Sequence, residues 1–153
     1  MYFNEVSAKV YAETYINITS TETNNRVGLT FKNAAGDAMF GIFLRADGEY
    51  NAYRLEYINL ASHTPTGNDR WPSKLVDFSS SDKTKLKLAV LRDGDNLTIC
   101  VNDIYKYTYT LSGCGSSIAA DEAIRVGLIT CQGSATFSDF TCSYGDNIPT
   151  LSE

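Results

Sequence analysis

The chain has 153 residues, 18 acidic and 13 basic side chains and a formal net charge of -5 with its single histidine neutral. Hydrophobic residues make up 43% and charged residues 20%, ordinary globular proportions that argue against disorder, collagen-like repetition and a coiled coil. An acidic chain without a run of Lys or Arg repels a phosphate backbone, so nucleic acid is not expected as a partner. No apolar window approaches the about 18 residues that a membrane span needs, so no membrane insertion is expected either.

The length suits one domain, expected over 1–146, with the polar, proline-containing 147–153 as a C-terminal linker or tail. Because strand-like alternation begins close to Met1, the sequence reads as a module flanked by other domains of a larger chain. Any export signal then lies outside it.

Period-two alternation begins in residues 10–18, where Val10, Ala12, Ile16 and Ile18 share one side, and Tyr11, Glu13, Tyr15 and Asn17 the other. Val27, Leu29 and Phe31 alternate next, then Phe40, Ile42 and Leu44. The turn residues 33–37 between them predict a hairpin. After a second turn at Ala46, Asp47 and Gly48, Tyr53, Leu55 and Tyr57 alternate with Arg54 and Glu56.

Residues 59–74 lose this periodicity and collect His63, Pro65, Gly67, Asn68, Asp69, Arg70, Trp71 and Pro72, the composition of a long functional loop. Leu86, Leu88 and Val90 and then Leu97, Ile99 and Val101 flank Arg92-Asp-Gly-Asp-Asn96, a strong hairpin signal. A strand through Tyr105, Tyr107, Tyr109 and Leu111 follows. Residues 118–123 could form one short helical turn. Two closing strands, 124–130 and 135–142, are expected as a hairpin about the turn 132–134. About ten strands with turns every 8 to 12 residues predict an all-β fold of two packed antiparallel sheets.

Several segments resemble one superfamily. The run from Leu91 to Asn102 is similar to the hairpin of concanavalin A-like and laminin G-like jelly-roll domains. Arg125-Val-Gly-Leu-Ile-Thr130 with Ala135-Thr-Phe-Ser-Asp-Phe140 resembles their closing strand pair, and Arg26-Val-Gly-Leu-Thr-Phe31 their opening one. The resemblance implies a lectin-like sandwich that binds an oligo- or polysaccharide, in the manner of the carbohydrate-binding modules of extracellular or cell-surface multimodular proteins. It also implies a structural calcium ion as an option, for which Asp139, Asp93 and Asp95 are the candidate carboxylates.

Chemistry for catalysis is not evident. Jelly-roll glycanases place closely spaced acids on one strand, and no such pattern occurs here; Asp121 and Glu122 are adjacent and so face apart. His63 is the only histidine, which leaves little room for a catalytic triad or a multi-histidine metal site. Cys100, Cys114, Cys131 and Cys142 lack the C-x-x-C spacing of a zinc site, and both disulfides and reduced thiols stay open.

For binding, a flat aromatic ring stacks on a sugar and planar polar groups read its hydroxyls. Trp71 is the natural ring. Arg54 and Glu56 on their strand, and Arg45 on the strand beside it, form the candidate polar face, joined by His63, Asp69 and Arg70 from the loop. The alternatives are a protein-binding adhesion or spacer module and, more remotely, a glycan hydrolase or lyase.

Overall fold

The computed structural model describes residues 7–19, 26–46, 52–60, 73–79, 84–131 and 134–145. Among them are ten strands: β1 Lys9–Ile18, β2 Arg26–Asn33, β3 Met39–Ala46, β4 Ala52–Leu60, β5 Ser73–Ser79, β6 Leu86–Asp93, β7 Asn96–Val101, β8 Tyr105–Thr110, β9 Ile124–Cys131 and β10 Ala135–Tyr144. They form two five-stranded antiparallel sheets, β10-β1-β6-β7-β8 and β5-β4-β3-β2-β9. The fold is a two-sheet β-sandwich, as the alternating sequence predicts, of the jelly-roll class that the resemblance implies.

Alternation explains the core. Val10, Ala12 and Ile16 of β1 and Leu86, Leu88 and Val90 of β6 are fully buried, and they meet Val27, Leu29, Ile42 and Leu55 from the second sheet in one continuous cluster. An aromatic ladder crosses β2, β3 and β4. Phe31 stacks on Phe40 with ring centroids 4.9 Å apart, and Phe40 on Tyr57 at 5.3 Å. Tyr53 and Tyr57 therefore belong to the interior, and the Tyr57 hydroxyl donates to Asn59 Oδ1 at 2.6 Å.

The second sheet is also buried on its outer side. Met39, Phe43, Ile58, Leu60 and Ile129 form a separate apolar cluster there, which is why β2, β3 and β4 bury nearly every residue rather than every second one.

Three local expectations change. The two ends of the segment 59–74 are strand: Asn59 and Leu60 continue β4, and Ser73 and Lys74 begin β5, while 61–72 lie outside the described residues. The closing strands are not a hairpin. β9 pairs with β2 in the second sheet and β10 with β1 in the first, so the connection between them crosses the sandwich. Residues 118–123 form no helix. They are tied to the first sheet by Arg92, whose guanidinium is fully buried and donates to the backbone carbonyls of Gly94 at 2.6 Å, Ala119 at 2.8 Å, Ala120 at 3.3 Å and Glu122. The segment closes a single turn, in which the Glu122 N–H donates to the Ala119 carbonyl at 3.1 Å, and no helical ladder follows it.

The β7–β8 hairpin turns at Asn102 and Asp103, both at positive φ (55° and 58°), the primed geometry that follows the twist of the strands. In β10, residues 139 and 140 face the single residue Thr14, and Asp139 adopts a φ of 50° in this bulge. Cys100, Cys114 and Cys142 are free thiols.

Two outcomes follow from these contacts. Arg92→Met leaves buried carbonyls without donors and lowers stability by about 3 kcal/mol or more in urea unfolding; a loss below about 1 kcal/mol would show that water replaces the guanidinium. Burial pushes the Tyr57 hydroxyl well above its ordinary pKa of 10.0. The folded state then holds this proton when the unfolded state has lost it, so stability falls as pH rises above about 10. Tyr57→Phe should remove up to about 1.4 kcal/mol per pH unit from that slope, measured by denaturation between about pH 9 and about pH 12.

Candidate functional site

The candidate polar face lies on the outer side of the second sheet, at one end of β2, β3 and β4. Its parity is set by the core: Arg26 precedes buried Val27, Arg45 follows buried Leu44, and Arg54 and Glu56 flank buried Leu55. Strand register then lines these residues up. Arg26 is opposite Arg45, Arg45 opposite Arg54, and Arg54 opposite Asp77 on β5. In the adjoining row Gly28 is opposite Phe43, Phe43 opposite Glu56, and Glu56 opposite Lys74.

Like charges directly opposite one another on neighbouring strands repel, so Arg26 and Arg45 need a counter-charge. Glu56 supplies it. Its Oε2 accepts from Arg26 Nε at 2.8 Å and its Oε1 from Arg45 Nη1 at 3.2 Å. The Glu56 side chain is only 1% exposed, while Arg26 and Arg45 retain 13% and 20%. The carboxylate is thus spent inside the sheet surface, between the two guanidiniums. Room for this arrangement comes from Gly41, where a Cβ would fall 2.2 Å from Phe43 Cε2. The Phe43 ring lies over that glycine, on the side away from Arg45.

The structure therefore brings Arg45, Arg54 and Glu56 onto one surface, as their positions in the alternating pattern imply. Trp71, His63, Asp69 and Arg70 lie outside the described residues. Arg26 was not among the expected residues. Its parity is visible in the sequence, but its proximity to Glu56 depends on β2 and β4 flanking β3, which no local signal states.

The outer side of the first sheet holds the other polar cluster. Tyr11 donates to Glu13 Oε2 at 2.6 Å, and Lys87 Nζ lies 3.0 Å from Asp103 Oδ1, 3.6 Å from Glu13 Oε2 and 5.8 Å from the centre of the Tyr15 ring. Burial, then the Glu13 carboxylate, raise the Tyr11 hydroxyl above its ordinary range. Lys87 thus meets Tyr15 and Glu13 from the neighbouring strand, while the Tyr11 contact lies within β1.

No three His, Cys, Asp or Glu side chains among the described residues converge as metal ligands. Asp95 accepts from the backbone N–H of Ser112 at 2.9 Å and from its hydroxyl at 2.6 Å. These two bonds hold the Asp95 carboxyl below the usual range.

Removing the shared counter-charge tests this geometry. Glu56→Gln leaves partly buried arginines facing one another and should cost about 3 kcal/mol or more by urea unfolding. A cost near zero would mean that Arg26 and Arg45 do not depend on Glu56.

No protein-family model matches the chain, and no curated protein matches it. Solved structures do. Chicken galectin 2 is 10% identical with a TM-score of 0.56, the match covering 88% of this chain and 89% of that one. A carbohydrate-binding module of family 66 from Bacillus subtilis is 13% identical with a TM-score of 0.58, over 91% of this chain and 77% of that one. An alginate lyase from Pseudomonas aeruginosa is 13% identical with a TM-score of 0.54, over 91% and 66%. The chain therefore has the concanavalin A-like, galectin-like sandwich fold, which both lectins and enzymes use.

Proposed function

We propose that the chain is a non-catalytic carbohydrate-binding module, with its site on the outer side of β2, β3 and β4 and in the loop between β4 and β5. The observation that carries this reading is the Arg26–Glu56–Arg45 cluster. Planar donors held by a buried carboxylate on a rigid sheet are set before a ligand arrives, so little side-chain entropy is lost on binding. Sugar recognition needs such groups beside an aromatic ring. Trp71 is proposed as that ring, with Arg54, His63, Asp69 and Arg70 as further polar contacts. Glu56 acts by positioning, since the two arginines bury it.

The same cluster favours binding over hydrolysis. Glycosidases use two carboxyl groups about 5 to 9.5 Å apart, one of them able to donate a proton. Both Glu56 oxygens are engaged by arginines and its side chain is only 1% exposed, so it is not placed to reach a glycosidic oxygen. On this reading the domain spans 1–146, operates outside the cell or at its surface, and is joined to other domains of a longer protein.

A glycan array probed with the purified chain, together with a turnover assay on the polysaccharides bound, tests the proposal. Saccharide binding without product formation is expected, abolished in Trp71→Ala after circular dichroism confirms folding. Unchanged binding in that variant would remove Trp71 from the site. Product release would make the chain an enzyme, and silence across the array would favour a protein-binding module.

A further inference from the structure

The edges of the two sheets are not alike. An edge strand offers its outward N–H and C=O groups to any further strand, and a bulge or a covering segment blunts that offer. β10 carries the bulge at Asp139, and the pairing of β5 with β4 slips register between Leu55 and Glu56. β9 is met at its start by Ser7, which exchanges backbone hydrogen bonds of 3.3 and 3.0 Å with Ile124. β8 ends its sheet in unbroken register with β7 and has no such device among the described residues. We propose that β8 pairs antiparallel with the β8 strand of a second copy of this chain, forming a dimer about a twofold axis at Tyr107.

The parity of the β8 backbone follows from one bond. In an antiparallel pair, alternate residues exchange both backbone bonds with the neighbouring strand, and the residues between them point both groups away. The Leu111 N–H donates to the Asp95 carbonyl at 2.7 Å, so Leu111 and, at steps of two, Tyr109, Tyr107 and Tyr105 turn their backbone groups towards β7. Lys106, Thr108 and Thr110 turn theirs to the open edge. All three are exposed, and no described residue bonds the outward groups of Lys106 and Thr108. The Thr110 carbonyl is already used, because the Cys114 N–H donates to it at 3.0 Å.

This leaves one favoured register. Pairing Lys106 with the second copy's Thr108, on both sides of the axis, uses only groups that are open, each pair exchanging its N–H and C=O bonds. A slip that sets Thr108 opposite itself brings the engaged Thr110 carbonyl into the ladder, and a slip the other way sets Lys106 opposite Lys106, like charge against like. In the favoured register β8 is complementary to itself, which is what a twofold contact requires. Tyr107 lies opposite the second copy's Tyr107 and Tyr105 opposite the second copy's Tyr109. These tyrosines are half-buried against the core on the inner side, and the Tyr107 and Tyr109 rings stand 6.5 Å apart. Their remaining exposed surface meets aromatic surface across the axis. The same register sets Ile104, which is 76% exposed, opposite the second copy's Thr110.

Sedimentation equilibrium of the purified chain from about 1 to about 500 μM tests the proposal. The expected result is a mass that rises from one chain to two. Thr108→Pro removes only an outward N–H and should weaken association about tenfold or more. Should that variant lose its fold by circular dichroism, exposed charges at the same position decide instead. Thr108→Lys places like charges opposite each other in both symmetric pairs and should weaken the dimer about threefold or more in about 20 mM sodium chloride. Thr108→Glu places a carboxylate opposite Lys106 and should tighten it, with both effects shrinking at about 500 mM.

A single-chain mass at every concentration overturns the proposal, as does a dimer that none of these substitutions changes. Weakening by Lys and Glu alike would set Thr108 opposite itself and overturn the axis at Tyr107.

Discussion

One buried carboxylate shared by two guanidiniums is the constraint on which the outer surface of the second sheet depends. Without Glu56, the register that sets Arg26 opposite Arg45 would lack the carboxylate that both guanidiniums now contact. With it, the same register becomes a fixed array of donors. The glycine at 41 belongs to this device, because it lets Phe43 lie down along its strand and leaves the neighbouring positions to the charged groups.

The two sides of this sheet divide labour. The inner side is filled by aliphatic residues and by the Phe31–Phe40–Tyr57 ladder, which joins three strands and the opposite sheet into one core. The outer side combines an apolar centre, Met39, Phe43, Ile58, Leu60 and Ile129, with the charged end. Burial on both sides leaves these strands little room to shift. A binding surface there is pre-organised in a way that a loop is not.

The fold was largely legible in the sequence because period two is a local signal. Val10, Ala12 and Ile16 announce the inner side of β1, and Arg92-Asp-Gly-Asp-Asn96 announces the β6–β7 turn, without reference to anything distant. Long-range facts were not legible. The parity of Arg26 or of Arg125 can be read along the strand, yet which strands lie side by side cannot, so the closing pair looked like a hairpin and Arg26 was missed as the partner of Glu56. The β5 strand was obscured by Trp71 and Pro72 just before it, whose loop character masked the start of pairing at Ser73. Arg92 reads as a turn residue in sequence; its role in organising 118–123 depends on a contact 30 positions away, with Glu122.

The Arg92 clamp grips only main-chain oxygens, those of Gly94, Ala119, Ala120 and Glu122. Every amino acid offers the same oxygen, so the clamp is indifferent to which side chains the held segment carries. Evolution is then free to rewrite positions 119–121 while the arginine itself stays put, and that corner of the sandwich becomes a place where surface chemistry can drift without disturbing the backbone beneath.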